Sequence, residues 1–162
     1  RMRLRASAIL WISYYLFLHS LPSSSAFSMT TPPQPPPDNG DMKFGKFRIP
    51  AEHIFYRTPL SAAFVNLRPI VPGHVLVMPE RIVAHMDELT DEEYLDLWKS
   101  VRVVQRLLKV HYPDTTAANV AVQDGRAAGQ SVPHVHVHIL PRKGGDFERN
   151  DDVYEELDQW AP

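Results

Sequence analysis

Gln130-Ser131-Val132-Pro133-His134-Val135-His136-Val137-His138-Ile139-Leu140 is the stretch on which the reading of this chain turns. Side chains of an extended segment alternate between faces, so His134, His136 and His138 share one face and Val135, Val137 and Ile139 the other. The Val/Ile face belongs in a core. The histidine face needs another reason, because a strand forms without histidine and buried imidazoles without partners lose solvation free energy. At about 3.3 Å rise per residue the outer histidines stand roughly 13 Å apart along the backbone, which is long for three ligands of one metal ion. Two of them with a distant ligand still make a zinc site, and His136, His138 and His74 form that alternative. Neutral imidazole is also a nucleophile near neutral pH, needing only a second group to orient it through its other nitrogen. His136, at the centre of the row, is the candidate for attack, with its neighbours stabilising charge or protonating a leaving group.

Working outward, the preceding loop Gln123-Asp124-Gly125-Arg126-Ala127-Ala128-Gly129-Gln130-Ser131 is polar and contains two glycines. Its amides, with Gln123, Gln130 and Ser131, are candidates to hold an anionic oxygen in a backbone nest. Strands are expected at Phe44 to Ile49, His53 to Arg57, Phe64 to Leu67, Val75 to Met78, Asn119 to Val122 and Val135 to Leu140. The turn-rich spacer Arg68-Pro69-Ile70-Val71-Pro72-Gly73 makes the third and fourth an antiparallel pair. Thr90 followed by Glu93 is a capping box. Tyr94, Leu97, Trp98, Val101, Val104 and Leu108 then mark one apolar helical face, so a helix is expected from Asp91 to His111, stopped by Pro113. A shorter helix is expected near Arg81 to Asp87. A strand-rich sheet with one long and one short helix is an α+β domain.

Residues 1–40 differ in kind. Arg1, Arg3 and Arg5 precede an apolar run from Ala6 to Leu21 and then small residues to Ser28, the layout of a targeting segment, or else of a non-native extension with the true start at Met29. Residues 29–43 read as a Pro-rich linker, residues 44–157 as the folded domain and 158–162 as a short C-terminal end. The first reading implies organelle or secretory routing, the second a cytoplasmic or nuclear protein. Of 162 residues, 17 are Lys or Arg and 19 Asp or Glu, a formal charge of −2 too balanced to make the whole surface attract nucleic acid, which leaves room for a local basic site. The chain has no cysteine, which excludes disulfides, thiolate zinc sites and a cysteine nucleophile.

The string from Gln130 to Lys143 resembles the signature of the histidine triad superfamily of nucleotidyl hydrolases and transferases. Val65 to Val77, Gln123-Asp124-Gly125, Pro141-Arg142-Lys143-Gly144-Gly145-Asp146-Phe147 and Asn150 to Leu157 resemble its fragile histidine triad (Fhit) branch more narrowly. The phosphoramidase branch shares the histidines but usually continues with a glycine-rich, Trp-Pro ending. The resemblance implies a five-stranded antiparallel sheet with one long and one short helix, continued across a homodimer, and hydrolysis of diadenosine triphosphate to AMP and ADP. It implies that His136 is the nucleophile carrying an adenylyl group, oriented by His134, with His74 supporting the cluster. His138 and Gln123 would contact phosphate oxygens. Gly129, Gln130, Ser131 and Val132 would line the phosphates and leaving group, Asn66 the ribose, and Phe44 and Leu76 the base. No bound metal is required, although magnesium can accompany the polyphosphate. The implied partners are a small nucleotide and a second copy of the chain, with no nucleic acid and no membrane for the folded domain.

Alternative readings of particular residues stand beside these. Asn66 is otherwise a strand-end residue bonding its own turn, His74 a satisfied core histidine, and Tyr154 either a phosphorylation site or a surface tyrosine among acids. Two functional alternatives are hydrolysis of adenosine phosphoramidates or adenylyl sulfate, and a signalling module whose nucleotide-bound form is the output.

Overall fold

The computed structural model describes residues 40–160; the expected targeting segment and most of the linker lie outside them. The strands are β1 (Met42–Phe44), β2 (Phe47–Ile49), β3 (Ile54–Arg57), β4 (Ser61–Val65), β5 (Val75–Pro79), β6 (Ala117–Val122) and β7 (Val137–Arg142). The helices are α1 (Asp91–His111) and α2 (Asp152–Asp158). β3 to β7 form one antiparallel sheet in the order β3-β4-β5-β7-β6, and β1 with β2 is a separate hairpin. This is the α+β architecture expected.

Alternation along the strands divides the core. Ala63, Val75, Val77, Val137 and Ile139 face α1, where Leu97, Val101, Val104 and Leu108 pack on them. Phe64, Leu76 and Met78 face the other way and meet Met42, Phe44 and Ile49 of the hairpin. Leu140 lies on that second face too, under Val153 and Leu157 of α2. In the ladder Leu76 stands opposite His138. The histidine side of the sheet is therefore roofed by the hairpin at one end and by α2 at the other.

The bounds of α1 match the sequence reading. The Thr90 hydroxyl accepts the Glu93 N–H at 3.2 Å and the Glu93 carboxylate accepts the Thr90 N–H at 2.9 Å, which satisfies two otherwise unpaired amides. Arg81 adds a two-pronged ion pair to the same carboxylate, at 2.7 and 2.6 Å, and holds its pKa down at about 2. Tyr94 departs from the expected core face and is 45% exposed.

Three further expectations are corrected. The single strand expected at Phe44 to Ile49 is half a hairpin, because Gly45, with φ +55°, turns the chain back. Its first strand begins at Met42, inside the stretch read as linker, and Met42 is buried. Between Arg81 and Asp87 there is no α-helix, only a 3₁₀ turn at Met86–Glu88. There the Glu88 carboxylate accepts the N–H groups of Ala84 and His85, in competition with helical bonding. The short helix is α2 instead.

Candidate active site

β7 begins at Val137, two residues later than expected, so His138 lies in the strand while His134 and His136 lie in the segment before it. The chain bends at His134, whose N–H bonds to the Val132 carbonyl at 2.8 Å, and the Val135 N–H bonds to the Val83 carbonyl at 2.7 Å. His74, His134, His136 and His138 are all 2% exposed or less. Heavy-atom partners assign their tautomers. The Ile70 N–H donates to His74 Nδ1 at 3.2 Å, so the ring proton of neutral His74 sits on Nε2. That Nε2–H donates to His138 Nδ1 at 2.9 Å, which leaves the His138 proton on Nε2. His136 donates from Nδ1 to the His134 carbonyl at 2.7 Å, so its Nε2 carries a bare lone pair. The Nε2 atoms of His136 and His138 are buried and have no partner among the described residues. The cluster thus presents a lone pair and a proton donor side by side, their rings 4.9 Å apart.

Burial keeps these imidazoles neutral, because charging them would strip hydration that nothing replaces. Desolvation lowers His74 and His136 to about 4 and His138 to about 2, helped by repulsion within the cluster. His134 is lowered too, by desolvation against the raising effect of its backbone bonds. A nucleophilic imidazole must be unprotonated, and a pKa of about 4 keeps His136 in that form at neutral pH.

His134 plays an architectural part. Its Nδ1 accepts the Gly45 N–H at 3.2 Å and its Nε2–H donates to the Pro79 carbonyl at 2.9 Å, pinning the hairpin to the end of β5. What orients His136 is the backbone carbonyl of His134, not its imidazole. Phe44 meets the His136 ring edge-on at 4.9 Å, and Leu76 and Val132 lie in the same apolar cluster.

Asn66 touches the cluster, while the loop candidates bond to backbone groups outside it. Asn66 bonds its own turn through Oδ1 to the Arg68 N–H at 3.0 Å and approaches His74 Nδ1 through Nδ2 at 3.1 Å. Gln123 donates to the Leu157 carbonyl at 3.1 Å while its own Oε1 is buried without a partner. Gly129, with φ +86°, lies so close to Gln123 Nε2 that a Cβ would stand 2.4 Å from it. Gln130 donates to the Ala84 carbonyl at 2.8 Å, and Ser131 is exposed. The nest expected in the loop is not open, because the amides of Ala128, Gly129 and Gln130 bond to carbonyls of Gly125 and Arg126. His74 and His138 spend their facing nitrogens on each other, and among the described residues no three His, Cys, Asp or Glu side chains are grouped to hold a metal ion. No described helix is long and apolar enough to cross a membrane.

Sequence reasoning missed the main-chain partners, Gly45, Ile70 and Pro79, since a backbone N–H or C=O leaves no mark on residue type. It also missed Trp160. This indole is 6% exposed, with ring centres 4.9 Å from His138, 5.9 Å from His136 and 6.3 Å from His74.

Comparison with known proteins gives the family and the fold. The model of the HIT domain matches residues 48–145. A bifunctional bis(5'-adenosyl)-triphosphatase/adenylylsulfatase FHIT of Arabidopsis thaliana is 51% identical over 116 residues, 72% of this chain and 64% of that protein. A bis(5'-nucleosyl)-tetraphosphatase of Schizosaccharomyces pombe is 54% identical over 116 residues, 72% of this chain and 63% of that protein. The crystal structure of the Caenorhabditis elegans nitrilase and Fhit fusion protein superposes with a TM-score of 0.65 at 42% identity, covering 93% of this chain and 36% of that one. The chain thus spans less than two thirds of the length of these relatives.

Proposed function

The chain belongs to the HIT domain family, and from that premise we propose that it hydrolyses dinucleoside polyphosphates, splitting diadenosine triphosphate into AMP and ADP through an adenylyl group held on His136. One observation carries the reading: the buried, unpartnered Nε2 of His136, whose lone pair is set by the Nδ1–H bond to the His134 carbonyl. That lone pair forms a bond to the α-phosphorus while the phosphorus–oxygen bond to ADP breaks and ADP leaves with the electron pair. Water then attacks the same phosphorus, the phosphorus–nitrogen bond breaks, the lone pair returns to Nε2, and the water's proton leaves with solvent. Splitting one displacement into two in this way needs positioning and charge stabilisation rather than a metal ligand set. His138 Nε2–H supplies a donor for a phosphate oxygen, and its proton position follows from the relay Ile70 to His74 to His138. Magnesium, where present, travels with the polyphosphate.

Phe44 and Leu76 stand against the histidines where a base would lie. Asn66 is set at the ribose, with Gly129, Gln130, Ser131 and Val132 about the phosphates; Gln123 joins them only on releasing Leu157. A homodimer belongs to the same proposal. Among the described residues β6 is an edge strand that pairs with β7 alone, and the second copy of the proposal lies along its other side. Sedimentation equilibrium measures that state.

Turnover of diadenosine triphosphate, diadenosine tetraphosphate, adenylyl sulfate and adenosine phosphoramidate by the full chain tests the substrate class. The expected result is the highest kcat/KM on diadenosine triphosphate with AMP and ADP as products. Preference for adenylyl sulfate is the second reading, supported by the double activity in the name of the Arabidopsis relative, and would move the substrate while keeping the intermediate.

A further inference from the structure

The histidine cluster is covered by the segment that follows β7, α2 and the residues just after it. α2 is fixed by Val153 and Leu157, which pack on Val71 and Leu140, and Trp160 follows just past the helix end. Trp160 bonds back to the Leu157 carbonyl through its N–H at 3.2 Å, and its indole Nε1–H donates to the Arg68 carbonyl at 3.1 Å. The indole then lies in the same apolar cluster as Phe44, Leu76 and Val132, against His138 and His136. An indole is a planar bicyclic aromatic of about the size of a purine. Two further facts point the same way: among the described residues the buried Nε2 atoms of His136 and His138 meet no partner, and Gln123 is tethered to the Leu157 carbonyl with its Oε1 buried and likewise unpaired. A site whose reactive atoms are sealed, and whose polar side chain is tied to the sealing segment, is closed rather than ready.

We propose that Trp160 is an internal competitor for the nucleotide: its indole fills the place of the base, and an entering nucleotide displaces it and frees Gln123 from Leu157. The inference rests on the nucleotide-binding reading above. Apparent affinity is then reduced by the fraction of molecules that are open, so removing the indole tightens binding.

Two measurements on the full chain separate this device from the substrate reading. Carbethoxylation by diethyl pyrocarbonate, mapped peptide by peptide, reports access to the His136 lone pair without any nucleotide, with the exposed His85 as internal reference. Trp160→Ala, and Trp160→Phe if the alanine variant unfolds, are expected to raise the His136 rate relative to His85 by roughly ten-fold or more. Equal relative rates in the wild type and the folded variant would overturn the proposal. In a Trp11→Phe, Trp98→Phe background, titration with AMP reads Trp160 emission directly. A red shift as the indole enters water, with a KM for diadenosine triphosphate about ten-fold lower in Trp160→Ala, is expected. Calorimetric binding of AMP with no emission change would refute displacement, and so would a raised KM, which would make Trp160 a platform for the base. Failure of AMP to bind either protein would sink the nucleotide reading and leave the carbethoxylation result to decide whether Trp160 seals the cluster.

Discussion

Acidification is expected to destabilise this protein through its histidine cluster. An unfolded histidine has a pKa of about 6.5, whereas burial puts native His74 and His136 at about 4 and His138 at about 2. Between those values the unfolded chain binds protons that the native chain refuses, so stability falls as pH falls from 7 through 5. For one histidine shifted this far, the loss between pH 7 and pH 5 is about 2 kcal/mol. Three coupled sites together lose on the order of 5 kcal/mol, comparable with the whole stability of a small domain. Glu93 and Asp146, whose ion pairs with Arg81 and Arg142 lower them to about 2, add to the slope in the same direction but only slightly above pH 5, where their unfolded counterparts have just begun to bind protons. Urea unfolding at pH 7 and pH 5, followed by far-UV circular dichroism, measures the effect. The midpoint should fall sharply, and His138→Asn should flatten the dependence. An equal midpoint at both values in the wild type would show that the cluster is solvated, and would refute the burial on which the neutral tautomers rest.

Other outcomes follow from single contacts. His136→Asn keeps a side-chain nitrogen near the position of Nδ1, so it should fold and bind nucleotide while turnover falls by about 10⁴-fold or more; steady-state rates and a thermal melt check both halves. Asp146→Ala removes the two-pronged partner of Arg142, bonded at 2.6 and 2.9 Å, and leaves a nearly buried guanidinium with only the neutral acceptors Asn119 and Asn150; urea titration should show a loss of about 3 kcal/mol. Gly45→Ala forces a Cβ to within 2.6 Å of Val132 Cγ1 at positive φ, next to the N–H that holds His134. It should cost about 1–2 kcal/mol and lower kcat. Thr90→Ala removes the α1 cap at about 1 kcal/mol, with no change in kcat/KM.

The parts of the fold visible in the sequence are those written in side-chain period. α1 announces both ends, through the Thr90/Glu93 box and Pro113, and its apolar spacing identifies Leu97, Val101, Val104 and Leu108 as core. The alternation from His134 to Ile139 likewise gave the site its face. What stayed hidden depends on the main chain or on distant packing. Gly45 and Lys46 make a hairpin turn inside an apparently continuous strand. Arg81 to Asp87 carries helical composition, yet Glu88 captures its amides. α2 did carry a signal, Val153 and Leu157 four residues apart, but it is short and acquires meaning only against Val71 and Leu140. Trp160 looks like a terminal aromatic until the fold sets it on the histidines. Asn66 and Gln123 show the converse: their types were readable as polar site residues, and the structure shows each committed to a neighbour.

The central claim is the covalent adenylyl group on His136. It is tested most directly by mixing the full chain with diadenosine triphosphate, quenching within a turnover in base, where a phosphorus–nitrogen bond survives, and mapping the adduct by mass spectrometry. One adenylyl group is expected, on His136 and absent from His136→Asn. Rapid release of AMP and ADP with no adduct at His136, or with turnover retained in His136→Asn, would contradict it.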